Sequence, residues 1–163
     1  MSKVLFYSVL VFTCLSTLGQ TPNADEQIDN LSQKVDSLEH ELSYMKLSYE
    51  LYTLNTDITM FANEVETKAI AIQLDIYNRK FDRRLGEVYQ SYFNTCLNKK
   101  QSFSELIEAK KTFFAVKVFK YPYSEQELNT LLASYNVINY AYDTLGNSMD
   151  LLKITIDAYT KLM

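Results

Sequence analysis

Apolar residues recur at steps of three and four along two long stretches of this chain, and this spacing constrains the fold most. The first repeat occupies residues 28–52 and the second occupies residues 128–163. Such steps place side chains on one face of an α-helix. The chain also has only three Gly and two Pro, whereas an all-β or a Rossmann fold needs turn residues at frequent intervals. The sequence therefore predicts an all-α fold.

The first repeat has the pattern of a coiled coil. Its a and d positions form a predicted dimer seam made by Ile28, Leu31, Val35, Leu38, Leu42 and Met45. Lys34 at a g position is followed by Glu39 at the next e position, and Glu41 and Lys46 repeat this arrangement one heptad later. Opposite charges at these positions are typical of a parallel pair of helices. The alternative is a helix that packs against its own chain.

The N-terminal residues predict export. Lys3 precedes a short apolar run and small residues stand before Gln20, so residues 1–19 are a predicted signal peptide. The run is shorter than the roughly 20 apolar residues of a membrane-spanning helix. A retained anchor and lipid attachment at Cys14 are the less favoured alternatives. We expect a periplasmic or extracellular protein whose remaining thiol, Cys96, is buried as a small apolar side chain.

The rest of the chain is divided by changes in periodicity. Residues 20–26 form a polar lead, residues 27–54 form the coiled-coil segment and residues 55–163 form a helical bundle. The predicted architecture is an antiparallel bundle of three helices with a long N-terminal coiled-coil extension. In the alternative, the second and third helices form a bent arm that folds back along the first. Gly146 flanks the apolar seam of the third helix, where we expect a neighbouring helix to approach closely.

Helix boundaries are predicted from capping patterns. The first helix is expected to continue to residues 98–101. The second is expected to begin at Ser102, because Glu105 stands three residues later as in a capping box. Ser124 and Glu127 repeat that pattern after a proline and predict the start of the third helix. On these bounds the second helix is roughly 25 Å long and the third roughly 55 Å long, so the lengths of the two helices match poorly.

The residues that carry catalytic chemistry are scarce. His40 is the only histidine and lies at the solvent-facing f position of its heptad, where adjacent side chains diverge too widely to share an ion. The three glycines stand alone, so no glycine-rich phosphate loop exists. We therefore expect no catalytic residue, no cofactor and no metal. An enzyme that uses the scattered carboxylates is a minor alternative.

Two groups of side chains are candidates for a partner surface. The basic group and the tyrosines outside the main apolar seam are Arg79, Lys80, Arg83, Arg84, Tyr121, Tyr123 and Tyr140. Tyrosine suits interfaces because its ring is apolar and its hydroxyl tolerates water. A net charge of −4 together with export argues against nucleic acid as the partner.

The predicted function follows from these expectations. We expect an exported, non-enzymatic protein with a structural, adaptor or interaction role, which forms a homodimer through its coiled coil. Its further partner is an unidentified protein or envelope component. The alternative function is a helical bundle that opens to bind a membrane or a small ligand, and membrane contact is the less favoured of the expected interactions.

Overall fold

The structure is a computed structural model that describes residues 24–163, and all regular elements in that range are α-helices. Helix α1 is Ala24–Tyr77, α2 is Arg83–Lys120 and α3 is Glu125–Leu162. The all-α prediction is thus confirmed for this part of the chain. The predicted signal peptide, Cys14 and the first four residues of the polar lead lie outside the described residues.

The chain divides into two units, Met1–Leu42 and Ser43–Met163, and the boundary falls within α1. Residues 24–42 of the first unit are helical throughout. Asp25 and Glu26, which the sequence assigns to the polar lead, already belong to the first turn of this helix. Acidic side chains stabilise the N-terminal end of a helix dipole, so the helix begins before the apolar repeat does.

Polar contacts in the second unit show that α2 runs antiparallel to the second-unit part of α1. Near the start of this part of α1, Glu50 accepts a hydrogen bond of 2.6 Å from Lys110. Further along α1, Glu64 accepts a hydrogen bond of 3.2 Å from Tyr92. The residue numbers rise along one helix while they fall along the other, as in an antiparallel pair.

Helix α3 runs in the same direction as the second-unit part of α1. The hydroxyl groups of Ser43 and Tyr123 share a hydrogen bond of 3.1 Å, and the amide of Gln73 donates to the Thr155 hydroxyl over 3.5 Å. Residues 43–163 therefore fit the up-down-up, antiparallel arrangement of three helices rather than the bent-arm alternative.

The core of the second unit takes one stripe from each helix. The largest fully buried side chains are Leu47, Leu51, Ile58, Val65, Ile72, Cys96, Leu131, Ile138, Leu145, Leu152, Ile156 and Tyr159. The α3 members follow the predicted seam, and the Cys96 thiol is buried as expected. Core packing begins at Ser43 and Leu47, so the last part of the predicted coiled-coil segment also belongs to the bundle.

The end of α1 lies about 20 residues before the predicted one, at Tyr77. Arg79 has a left-handed φ of 55°, and the Lys80 amide donates to the Asp75 carbonyl over 2.9 Å. The Arg79 amide donates to the Ile76 carbonyl over 3.0 Å. This pair of hydrogen bonds is a Schellman motif, which ends a helix and normally has glycine at the left-handed position.

The predicted helix start at Ser102 is wrong, because Ser102 lies inside α2. Its hydroxyl donates to the Asn98 carbonyl over 3.2 Å, and Glu105 accepts a hydrogen bond of 3.1 Å from Gln101. A serine inside a helix readily bonds to the carbonyl one turn earlier. Ser102 and Glu105 therefore satisfy the spacing of a capping box without capping a helix.

The predicted start of α3 is confirmed. The Ser124 hydroxyl accepts a hydrogen bond of 3.3 Å from the Glu127 amide, and the Glu127 carboxylate accepts one of 2.8 Å from the Ser124 amide. With these bounds, α2 and α3 each contain 38 residues and are each about 57 Å long. The expected length mismatch between the second and third helices is therefore absent.

Candidate functional site

In residues 43–54, the a and d positions of α1 face away from the bundle. In the second unit, Met45, Tyr49 and Tyr52 are 66%, 69% and 67% exposed, whereas Leu47 and Leu51 are almost fully buried. At 3.6 residues per turn, the mean direction of the a and d positions lies about 160° from that of the c and f positions, which pack into the core. Formation of the bundle therefore leaves the a and d positions in residues 43–54 uncovered.

The same seam is exposed in the first unit. Its members there are Ile28, Leu31, Val35, Leu38 and Leu42. The charged side chains at the flanking positions, Lys34, Glu39, Glu41 and Lys46, are exposed as well. Exposed large apolar side chains at regular helical spacing, bordered by charges of both signs, are typical of a helix face that associates with another helix.

The apolar seam stops inside the second unit. The next four a and d positions after Tyr52 are Thr56, Thr59, Asn63 and Glu66. These side chains are polar, so the seam has the limited length of about three and a half heptads. The exposed apolar pattern thus coincides with the repeat identified in the sequence.

The predicted basic group lies at the turn between α1 and α2. All four members, Arg79, Lys80, Arg83 and Arg84, are exposed. Asp82 caps α2, because its carboxylate accepts a hydrogen bond of 2.7 Å from the Arg84 amide. Arg83 lies 3.6 Å from the Glu87 carboxylate, and both side chains are highly exposed. Such a surface pair contributes little to stability.

Tyr159, near the end of α3, holds this turn in place. Its hydroxyl donates to the Lys80 carbonyl over 2.9 Å and accepts a hydrogen bond of 2.9 Å from the Asp82 amide. Its ring packs edge-on against Tyr89 with 5.2 Å between the ring centroids. The backbone of the basic turn is therefore fixed by contacts with the core.

Asp75 and Arg79 stand four residues apart but do not form a helical ion pair. Arg79 lies beyond the end of α1, so the geometry of residues one turn apart does not apply to it. The Asp75 carboxylate instead accepts a hydrogen bond of 2.6 Å from the Tyr89 hydroxyl. Burial, together with this neighbouring carboxylate, raises the pKa of Tyr89 to about 12, because both favour the neutral phenol.

The structure places the three candidate tyrosines in different environments. Tyr140 is 75% exposed and Tyr121 is half-buried. Tyr123 is buried, hydrogen-bonded to Ser43 and packed against Tyr44 at 6.1 Å between ring centroids. Tyr123 is thus a core residue, which corrects its assignment to an exposed surface. Its apolar ring closes the end of the bundle opposite the basic turn.

The basic group and two of the tyrosine candidates, Tyr121 and Tyr123, consequently do not form one surface. Lys80 and Asp82 contact the end of α3 through Tyr159, whereas Tyr121 and Tyr123 precede the start of α3. In an up-down-up bundle these positions are at opposite ends. The sequence could not show this separation, because it depends on where α1 ends.

An exposed face on α2 has no counterpart among the predicted site residues. Phe119 is 90% exposed, the largest exposed fraction among the large apolar side chains of the described residues. Val116, one turn earlier, is exposed as well. One signal for this face exists in the sequence, since residues 109–124 contain no Asp or Glu.

The described residues contain neither a cluster of metal ligands nor a thiol with the environment of a reactive one. No group of three or more His, Cys, Asp and Glu side chains in residues 24–163 could hold a metal ion. Burial raises the pKa of the Cys96 thiol, which disfavours the reactive thiolate. The buried environment of Cys96 is therefore that of a structural thiol.

Comparison with known proteins identifies no relative. The chain matches no family model, no curated protein and no solved structure. Among the described helices, none combines the length and the apolar character that crossing a membrane requires.

Proposed function

We propose that this protein is a non-enzymatic interaction protein that forms a homodimer through the a and d positions of α1. The observation that carries this proposal is that the seam is exposed and that, in residues 43–54, it lies on the helix face opposite the bundle core. Met45, Tyr49 and Tyr52 are each about two-thirds exposed while Leu47 and Leu51 are buried. A second copy of α1 would cover these side chains without disturbing the packing of the bundle.

The residue types at the seam support a parallel, two-stranded coil. Ile28 and Val35 are β-branched residues at a positions, and Leu31 and Leu38 occupy d positions, a combination that favours dimers. In a parallel register, Lys34 of one copy faces Glu39 of the other, and the following heptad repeats this with the charges exchanged. These pairs select the parallel orientation.

The proposed setting is the cell envelope or the outside of the cell, with a structural or adaptor role. The basis is the sequence pattern of residues 1–19, and the role follows from a bundle that is joined to a dimerising helix. Determining the N-terminus of the protein purified from a cell envelope fraction tests the setting. A chain that begins at Gln20 is expected, and a chain that begins at Met1 in the cytosol would contradict export.

The oligomeric state tests the dimer. Sedimentation of residues 20–163 at tens of micromolar should give a dimer, and Leu38→Lys with Leu42→Lys should convert it to a monomer. The matched control is Gln33→Lys with Ser37→Lys, which adds the same charge to exposed positions outside the seam. A monomeric wild-type chain refutes the proposal. A dimer that survives the seam variant would place the interface elsewhere.

A disulfide tests the orientation of the two chains. In a Cys96→Ser background, Leu38→Cys places a thiol at a d position, where the two copies of a parallel dimer meet. Oxidation should then yield a covalent dimer, because facing d positions have the short separation that a disulfide requires. The control Gln33→Cys, at an f position, should stay largely uncrosslinked. Equal crosslinking of both variants would contradict the parallel register.

A further inference from the structure

The solvent-facing side of α2 has an apolar centre between residues 109 and 120. The exposed residues at this centre are Ala109, Thr112, Ala115, Val116 and Phe119, and we call them the Phe119 face. Lys111 and Lys120 are exposed at its two edges. At about 100° per residue, Lys111 lies about 80° to one side of Phe119 and Lys120 about 100° to the other. In most bundle helices, by contrast, charged residues occupy the centre of the solvent-facing side.

The charge around the Phe119 face is positive. Residues 109–124 contain four lysines and no acidic residue. Lys110 is half-buried and engaged with Glu50, so it does not belong to the exposed charge. Lys111 lies 3.7 Å from Glu108 in an exposed pair, and Lys117 lies 5.0 Å from the centre of the Tyr121 ring. Lys117 is half-buried and lies about 160° from Phe119 around the helix, so it does not border the face. Lys111 and Lys120 are the two lysines at its edges, and the nearest acidic side chains along the chain, Glu108 and Glu125, lie at its limits.

We propose that the Phe119 face docks on the surface of an anionic lipid bilayer. Phe119 and Val116 would enter the boundary between headgroups and acyl chains, and Lys111 and Lys120 would contact lipid phosphates. An exposed apolar strip with lysines along its edges is the arrangement found in helices that lie in the membrane interface.

The residue types favour lipid over a protein partner. All the cations at this face are lysines, and lysine is depleted in protein–protein interfaces. At a bilayer, its flexible stem covers apolar surface while its ammonium group reaches the headgroups. Phe119 lies on a convex helix surface, and a fluid bilayer adapts to such a surface without needing a matching groove.

This mode of binding leaves the bundle closed. Phe113 and Phe114 are half-buried and pack against the core, so only Phe119 and Val116 supply the apolar contact. The bundle need not open, in contrast to the membrane-binding alternative expected from the sequence. The face lies on α2, so the proposal does not depend on the homodimer formed through α1.

Co-sedimentation with vesicles tests the proposal. The chain of residues 20–163 should bind vesicles of equal parts phosphatidylglycerol and phosphatidylcholine at low salt. It should not bind vesicles of phosphatidylcholine alone, and high salt should weaken the binding because it screens the lysines. Each lysine near an anionic surface contributes about fivefold in affinity. Lys111→Glu with Lys120→Glu should therefore lower the partition coefficient by at least about 25-fold.

Matched variants separate the effect of the Phe119 face on vesicle binding from the effect of net charge. Phe119→Ser should lower the partition coefficient by about tenfold, whereas Tyr140→Ser removes another highly exposed ring and should have no effect. Lys153→Glu with Lys161→Glu makes the same change in charge on α3 and should also leave binding intact. Circular dichroism establishes that each variant is folded.

Three results would overturn the proposal. The first is that the wild-type chain does not sediment with the anionic vesicles. The second is that both lysine pairs reduce binding equally, since this would show an effect of net charge alone. The third is that an acidic protein is captured through Phe119 while the vesicles are not bound, which would assign the face to a protein partner.

Discussion

Replacing Gly146 by alanine is expected to stabilise the protein. Gly146 lies in the interior of α3, where glycine costs about 1 kcal/mol relative to alanine. Its place beside the apolar seam predicts close contact with another helix, and the structure corrects this expectation. An alanine Cβ at this position would meet only the Nζ atom of Lys100, at 3.4 Å. That atom is the end of a flexible side chain, so it can move at low cost.

The expected gain in the free energy of unfolding is the helix-interior difference between alanine and glycine, minus a small loss of contact at Lys100. The Lys100 ammonium lies 5.5 Å from the centre of the Tyr142 ring, and a cation–π contact near the surface contributes about 0.5 to 1 kcal/mol. A shift of a few tenths of an ångström removes only part of that contribution. The net gain should therefore be about 0.5 to 1 kcal/mol, which raises the Tm by about 1 to 4 °C in a protein of this size.

Urea unfolding followed by circular dichroism measures this gain. The protein concentration is held fixed, because the apparent stability of a dimer depends on it. The slope of the free energy of unfolding against urea concentration should be the same in the variant and the wild type. Gly86→Ala in α2 is the comparison, since its Cβ would lie 2.7 Å from Cε of Met163, which must move. Gly86→Ala should gain less. A lower urea midpoint for Gly146→Ala than for wild type, or a larger gain for Gly86→Ala, would contradict the conclusion that a Cβ atom fits at position 146 more easily than at position 86.

Three further measurements test local features. Arg79→Gly should raise the free energy of unfolding by about 1 kcal/mol, because a non-glycine residue at its left-handed φ is strained, whereas Lys80→Gly should lower it. Because the folded state raises the pKa of Tyr89 to about 12, the unfolded state loses its proton first. The free energy of unfolding should therefore fall as the pH rises from about 10 to about 12. Tyr89→Phe should reduce that slope, and an unchanged slope would contradict the role of this phenol. The buried Cys96 thiol should react slowly with a thiol reagent in the folded protein and quickly in urea; fast reaction in the folded state would contradict its burial.

Local capping chemistry explains which helix boundaries the sequence predicts. The start of α3 was predictable because Ser124, which begins the capping-box pattern, stands two residues after Pro122, and a helix cannot include a proline in its interior. The same pattern at Ser102 has no such break before it, so the helix continues through it. The end of α1 was not predictable from composition, because Arg79 takes the position that glycine usually occupies.

The two candidate surfaces could be predicted from the sequence to different degrees, because the exposure of their residues depends differently on packing. The seam of α1 repeats with one period, so its common face follows from the sequence alone. The large apolar residues near the end of α2 occur at 113, 114, 116, 118 and 119 and cover most of the helix circumference. Only contacts with the other helices decide that Phe113 and Phe114 pack inward while Phe119 faces solvent. The burial of Tyr123 likewise depends on Ser43 and Tyr44, about 80 residues earlier in the chain.

The two faces of α1 also bear on how such a protein evolves. In residues 43–54 the side chains that build the core and those that face solvent belong to separate sets of positions on a single helix. A substitution at Met45 or Tyr52 lies outside the core, so mutation and selection can act on it while the bundle keeps its fold. Homologues of this chain are therefore expected to keep apolar residues at Leu47 and Leu51 even where their oligomeric state has diverged.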